Sequence, residues 1–204
     1  MNRVVPRDGI VNFKKDIVTD VFVSDDILLA QISSGNIAAW EIIIDRHLAA
    51  VSRYAAYILG DIVQSEDVTQ ETFIRLMKKA HTWEPGDATL KGWLFKVARN
   101  LCIDHKRKKR PDPIENAYDL LDPNDDDTTD RRIDIANAVK TALGLLPERQ
   151  KTAIVLVHYE GFSGAETAEL LDISVEAVES LLARGRRNLR QTLQAHAIEF
   201  LGER

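Results

Sequence analysis

Apolar residues recur at three- and four-residue intervals along most of this chain, and that spacing predicts helices. Ser24-Asp25-Asp26 reads as an N-cap followed by acids suited to a positive helix end, opening a short helix that runs through Ile32 and breaks at Ser33-Ser34-Gly35. A longer helix is predicted from Asn36 to Leu59, with Gly60 just past its end and Ala39, Ile42, Ile43, Leu48, Val51, Ala55 and Ile58 available as a core stripe. Ile42-Ile43-Ile44 would suit a strand in isolation, but the helical period on both sides outweighs it. The next helix is expected to begin near Ser65 and continue to Ala80, turning Val68, Phe73, Leu76 and Ala80 inward. A polar turn, Glu84-Pro85-Gly86-Asp87, then precedes a helix from Leu90 to Arg110 whose Trp93, Leu94, Val97, Leu101 and Cys102 form an apolar stripe.

The second half repeats the period without repeating the sequence. Ile135, Val139, Ala142, Leu143 and Leu146 mark a helix that stops at Pro147, and another is predicted from Glu148 to Tyr159, ending at Gly161. Ser163 and Glu166 have capping-box spacing at the start of a short helix, and Ser174 caps a further helix only a few residues after the short one ends. Small Ala168 sits where the two helices must approach closely, Asp172 occupies the turn, where Asp tolerates left-handed backbone, and Val178 packs the second helix on the first. Helix, tight turn and capped helix make a helix-turn-helix.

The expected fold is therefore all-α: two small helical domains, the C-terminal one containing the helix-turn-helix, joined by a flexible acidic linker. Between Pro111 and Asp130 there are eight acids and no base, together with Pro111, Pro113 and Pro123, a composition that cannot bury enough apolar surface to offset the entropy of ordering. The expected boundaries are an N-terminal extension over 1–24 with no strong period, a first domain over 25–110, the linker over 111–132 and a second domain over 133–204.

Charge changes the picture once it is placed. The chain of 204 residues carries −5, so without the eight linker acids the remainder is +3. Lys91 to Arg110 holds eight bases against Asp104 alone, or +7, including five consecutive bases from Lys106 to Arg110 that repel one another unless a polyanion, or the acidic linker itself, lies nearby. No apolar run approaches the roughly 18 uncharged residues of a membrane span, and no basic-then-apolar leader opens the chain, so cytoplasmic residence without membrane insertion is expected. A single cysteine, Cys102, excludes an internal disulfide, and the five histidines have no zinc-ligand spacing. Neither a metal nor a cofactor is implied.

Three segments carry candidate chemistry. Asp67, Gln70 and Glu71 share one helix face at i, i+3 and i+4, an acidic, amide-bearing surface that repels DNA and suits a basic protein partner. In the Leu90–Arg110 helix, Lys96, Arg99, Asn100 and Lys106 stand off the apolar stripe, and Trp83 before the turn could be core or a stacking platform for an unpaired base. After the helix-turn-helix, Arg184, Arg186, Arg187 and Arg190 can hold phosphates while Glu176, Glu179 and Ser180 face base edges. A solvated cationic face is the plainer alternative for the arginines of the second half, and a core helix with a basic outer side for Leu90–Arg110, which leaves the surplus charge there unexplained.

In order, Asp67-x-x-Gln70-Glu71-x-Phe73, then Gly92-Trp93-Leu94-Phe95-Lys96-Val97-Ala98-Arg99-Asn100-Leu101-Cys102-Ile103-Asp104, then Leu146-Pro147-Glu148-Arg149, and a helix-turn-helix ending Ala183-Arg184-Gly185-Arg186-Arg187, resemble the bacterial sigma-70 family. The absence of further domains makes the chain similar to its extracytoplasmic-function group, with the resemblance covering Asp25 to Leu193. It implies a sigma factor that binds core RNA polymerase, directs it to promoters and helps open the duplex, under the control of an anti-sigma factor that contacts both domains. Asp67, Gln70 and Glu71 would dock on the polymerase clamp helices. Trp83, Trp93, Lys96, Arg99, Asn100, Asp104, Lys106 and Arg107 match the element reading the minus-ten promoter motif, with Trp83 and Asn100 as candidates to hold a flipped base and Arg99 and Lys106 on the backbone. Ser174, Glu176, Ala177, Glu179, Ser180, Arg184, Arg186 and Arg187 match the minus-thirty-five reader. Many relatives carry Arg where Glu179 and Leu181 stand, so promoter preference does not transfer, and Glu179 is suited to accept from cytosine.

Two other functions compete. A stand-alone helix-turn-helix regulator accounts for the second half but leaves the Asp67 face and the basic Trp93–Arg110 helix without a task. An enzyme is not expected: Glu66/Asp67 and Glu148/Glu160 read as surface acids of helices, and neither a nucleophile-base pair nor a phosphate-binding glycine loop accompanies them.

Overall fold

The structure is a computed structural model that describes residues 23–86, 89–108 and 129–201. Helices account for the secondary structure, with no strand among the described residues. Residues 1–22 of the expected extension, 111–128 of the expected linker and 202–204 lie outside the described residues, as do Asp87, Ala88, Lys109 and Arg110.

In the first half, α1 (Asp25–Ser33), α2 (Ile37–Leu59), α3 (Ile62–Ala80) and α4 (Leu90–Lys108) pack around one core. The ends follow local chemistry. The Ser24 hydroxyl accepts from the Ile27 amide at 3.4 Å, and Asn36 Oδ1 accepts from the Ala38 amide at 3.0 Å. Gly60 closes α2 at φ 68, a left-handed position that a side chain would strain. The start of α3 differs from expectation: Asp61, not a residue near Ser65, is the cap, accepting from the Gln64 amide at 3.1 Å. Ser65 is buried one turn inside, where its hydroxyl donates to the Ile62 carbonyl at 2.7 Å.

The second half comprises α5 (Thr129–Gly144), α6 (Glu148–Ile154), a π-helical turn (Val155–Tyr159), α7 (Gly164–Leu171) and α8 (Val175–Leu201). Helix α5 begins inside the span expected for the linker. The helix expected to run regularly from Glu148 to Tyr159 changes to the wider π pitch at Val155, with the Glu160 amide donating to the Val155 carbonyl at 3.0 Å. Ser163 and Glu166 form the full capping box of α7, at 3.2 and 2.8 Å. Asp172 takes the left-handed turn at φ 56, and the Ser174 hydroxyl caps α8 by accepting from the Ala177 amide at 3.2 Å.

The two halves are packed against each other. Helix α2 meets α5, α6 and the π turn, and α4 meets α7, so that Tyr54, Phe95, Leu143, Leu156, Phe162 and Leu171 belong to one continuous buried cluster. Two partners therefore cover α4, which explains why Phe95, outside the predicted stripe, is fully buried; Ala98, four residues after Leu94, lies on the stripe itself.

Candidate polymerase and nucleic-acid interfaces

Helix α3 buries Val68, Thr69, Thr72, Phe73 and Leu76 and turns its other side to solvent. Asp67 and Gln70 are exposed there, and Glu71 is half-buried, accepting from Arg75 Nε at 2.8 Å along the helix. The same side carries Ile74 and Met77, 41% and 50% exposed, at the next helical repeats. A face that mixes acid, amide and bare apolar side chains is suited to a protein rather than to DNA. Sequence reasoning passed over Ile74 and Met77, although the i+4 spacing of Ile74 from Gln70 and the i+3 spacing of Met77 from Ile74 give the signal.

The α3–α4 turn and α4 form the second surface. Trp83 is half-buried and fixed: its Nε1 donates to Asp26 Oδ1 at 2.9 Å, and its ring meets that of Trp93 nearly edge-on at 6.2 Å and 86°. Asp26 was not among the expected site residues, because its partner lies 57 positions away. Lys96 is exposed and lines, with Trp93, Gly86, Thr89 and Gly92, a groove of about 470 Å³. The far wall of that groove is Phe162, Glu166, Glu169 and Leu170 of the second half. Hydrogen bonds from the Ser163 cap, with the Lys91 charge adding, hold the Glu166 carboxyl below its usual range.

Further along α4, Asn100, Asp104 and Arg107 are exposed, and Arg107 pairs loosely with Asp104 at 3.8 Å. Arg99 and Lys106 turn toward the second half. Lys106 Nζ stands 3.4 Å from Glu148 Oε2, and Arg99 lines an interdomain cavity of about 240 Å³ with Tyr54, Glu148, Arg149, Thr152 and Leu181. Cys102 is buried beneath them, and burial pushes its thiol up to about 12 despite the neighbouring Lys106. The acids Glu148 and Glu160, expected as surface groups, divide: Glu148 is exposed, whereas Glu160 is buried and accepts both hydrogen bonds of a paired Arg53 guanidinium.

On α8, Glu176, Glu179, Ser180, Arg184, Arg186 and Arg187 are exposed and Ala177 is half-buried. Glu176, Ser180, Arg184 and Arg187 follow one another at i, i+4, i+8 and i+11 and form a single stripe. Ser174 Oγ is occupied by the helix cap, so it serves the start of α8 before any ligand. The structure thus groups the expected minus-thirty-five set on one helix, keeps the α3 set on a separate face and splits the minus-ten set between solvent and the second half. Among the described residues no group of three His, Cys, Asp or Glu side chains is arranged for metal binding, and no helix is long and apolar enough to cross a membrane.

Comparison with known proteins places two family models on the chain, Sigma-70 region 2 over residues 43–111 and Sigma-70, region 4 over residues 136–189. ECF RNA polymerase sigma factor SigL of Mycobacterium tuberculosis is 34% identical over 156 residues, covering 74% of this chain and 86% of the relative. SigE of Mycolicibacterium smegmatis is 33% identical over 168 residues, and the match spans 64% of that longer protein. SigW of Bacillus subtilis is 28% identical over 181 residues, with 95% of it covered. Among solved structures, CnrH in complex with the cytosolic domain of CnrY superposes with a TM-score of 0.64 at 30% identity, covering 84% of this chain and 97% of CnrH. RpoE bound to the anti-sigma factor NepR from Bartonella quintana shares the fold, with a TM-score of 0.63 at 23% identity.

Proposed function

Because this chain belongs to the sigma-70 family, in its extracytoplasmic-function group, we propose that it binds core RNA polymerase, directs it to specific promoters and promotes transcription initiation. It works in the cytoplasm, beside the polymerase, and performs no catalysis of its own. The observation that carries this reading is the division of surfaces: one exposed acidic, amide and apolar face on α3, and separate cationic sets on α4 and α8. A stand-alone DNA-binding regulator has no need of the first.

Docking falls to Asp67, Gln70 and Glu71, with Ile74 and Met77 adding apolar contact. Lys96, Asn100 and Arg107, together with Arg99 and Lys106 when the halves separate, follow the promoter backbone, while the Trp83–Trp93 pair shapes the wall against which an unpaired base rests. The α8 stripe enters the major groove, its arginines on phosphates and Glu176, Glu179 and Ser180 on base edges. The expected boundaries of extension, two domains and acidic linker remain part of this proposal. Control by an anti-sigma factor that contacts both halves completes this proposal; CnrH, 30% identical, was solved in complex with the cytosolic domain of CnrY.

Replacing Asp67 and Gln70 together with Ala tests the docking assignment. Both side chains are exposed, so the helix content and melting temperature should be unchanged, while affinity for core polymerase falls about tenfold, the effect of losing one to two kcal/mol of polar contact. Fluorescence anisotropy of labelled chain titrated with core enzyme reads this directly. Undiminished affinity in a folded double variant removes the α3 face from the interface.

A further inference from the structure

We propose that the interdomain cavity is a receptor site for a small organic acid, a single carboxylate carried on one ring or on a short branched chain. Its walls come from both halves: Tyr54 and Ile58 of α2 and Arg99 of α4 line it together with Arg149 of α6, Leu171 of α7 and Leu181 of α8. At about 240 Å³ it is smaller than the roughly 300–1,000 Å³ of drug-sized pockets, which limits the occupant to a small molecule.

The charged end of this cavity lacks a partner that its residues call for. The Tyr54 hydroxyl is fully buried and makes no hydrogen bond among the described residues. Besides burial and Cys102, the phenol feels the charges of Arg99 and Glu148, both of which line the cavity, so its oxygen lies toward that end. A buried donor without an acceptor is retained at a cost unless something else accepts its proton. Cations also outnumber acids here. Arg99 and Arg149 have no carboxylate partner among the described residues, and Arg99 touches only Asn100 Oδ1, at 3.5 Å. Lys106 is paired with Glu148, the one acid among the lining residues, and Lys151 follows Glu148 by three positions on α6. Burial first and Lys106 second push the Lys151 ammonium below the ordinary lysine range. Four cations against one carboxylate leave a positive field, strengthened by the partial exclusion of water.

The chemistry of these groups selects the ligand class. A planar carboxylate meets a guanidinium through two parallel hydrogen bonds and keeps lone pairs for the phenolic O–H. Glu148 limits the charge: one negative group is balanced by the arginines, whereas a phosphate dianion would crowd a second charge against the Glu148 carboxylate. The Thr152 hydroxyl is already committed to the Glu148 carbonyl at 2.9 Å, and the remaining lining residues, Ile58, Ile103, Leu171, Ile173 and Leu181, are aliphatic. They suit an apolar body and offer it no further side-chain donor. The site stands on this geometry and does not depend on the sigma-factor reading.

Benzoate added to the full chain tests the site, with benzamide as its uncharged counterpart and phenyl phosphate as the dianion. Isothermal titration calorimetry should give one benzoate site with a Kd on the order of 0.1–1 mM, the affinity expected of about nine non-hydrogen atoms. Benzamide and phenyl phosphate should each bind about tenfold more weakly. Arg149→Gln, at an exposed position, should weaken benzoate about tenfold. Tyr54→Phe separates ligand binding from a structural role: without benzoate the variant should melt higher than the parent, yet its benzoate affinity should fall about tenfold, and a given benzoate concentration should raise its melting temperature less. No saturable benzoate binding by the folded parent overturns the receptor site. Benzamide bound as tightly as benzoate overturns the anion assignment, and phenyl phosphate bound as tightly overturns the single-charge assignment. Undiminished benzoate affinity in both folded variants puts the ligand elsewhere and overturns the assignment to this cavity.

Discussion

Replacing Tyr54 with Phe should make this protein more stable, although Tyr54 is among the most deeply buried residues of the core. Its ring is 0% exposed and stands 5.2 Å from Phe95 in an edge-on contact that phenylalanine would keep. Its hydroxyl, enclosed on the wall of the interdomain cavity, has no hydrogen-bond partner among the described residues. Burial, reinforced by Cys102 and Glu148 and opposed by Arg99, drives the phenol far above its ordinary range, so it remains a neutral, unpaired O–H. A buried polar group left unpaired costs about 1–3 kcal/mol. Removing one oxygen forfeits only a few dispersion contacts of about 0.1–0.2 kcal/mol each. The balance is a gain of about 1–2 kcal/mol, which in a chain of this length raises the melting temperature by roughly 2–4 °C per kcal/mol. Urea titrations should show a higher midpoint with an unchanged slope. A lower midpoint at equal slope would refute the reasoning, because it would mean that the hydroxyl is hydrogen-bonded in solution. Tyr54→Leu provides the contrast: it also removes the hydroxyl but loses the aromatic contacts, and should be less stable than Tyr54→Phe by about 1–3 kcal/mol.

Two more perturbations test the two halves separately. The Asp25 carboxyl is held below its ordinary 3.8, chiefly by the hydrogen bond from His47 at 2.8 Å, against the opposing effect of burial and with Arg46 contributing. A depressed carboxyl stabilises the fold fully above its unfolded value and loses that contribution as pH falls through its folded value, so Asp25→Asn should cost about 1 kcal/mol at pH 7 and flatten the acid limb below pH 4 in a stability-versus-pH series. An acid limb as steep as the parent's would show that Asp25 does not govern it. On α8, a Cβ at Gly185 would meet Ile154 Cγ1 at 3.0 Å where α8 crosses α6, so Gly185→Val should lower stability by about 1–3 kcal/mol in urea titration, and a neutral result would mean that the crossing can widen.

Features that are local in sequence were legible, and features that join distant segments were not. The Ser24, Ser163 and Ser174 caps, the Gly60 stop and the left-handed Asp172 all depend on residues within a few positions of one another, and each has the expected geometry. The stripe of α2 was largely right, yet Leu48, at its edge, is 41% exposed, whereas Tyr54, three residues after Val51 and four before Ile58, lies within the stripe and is fully buried although a phenol was not counted as core. Phe95 on α4 is the residue covered by both halves: it meets Tyr54 of α2 and Phe162 of the second half. An amphipathic pattern reports one partner; a helix covered from two sides needs apolar residues on both, and Phe95 beyond the Trp93-Leu94-Val97 stripe was the available signal. Nothing near Glu160 in the sequence points to Arg53, and an acid two residues from a histidine and next to a glycine reads as a helix terminus. Its burial becomes intelligible only once the halves meet, and there Arg53 compensates a charge that would be costly in either half's own core.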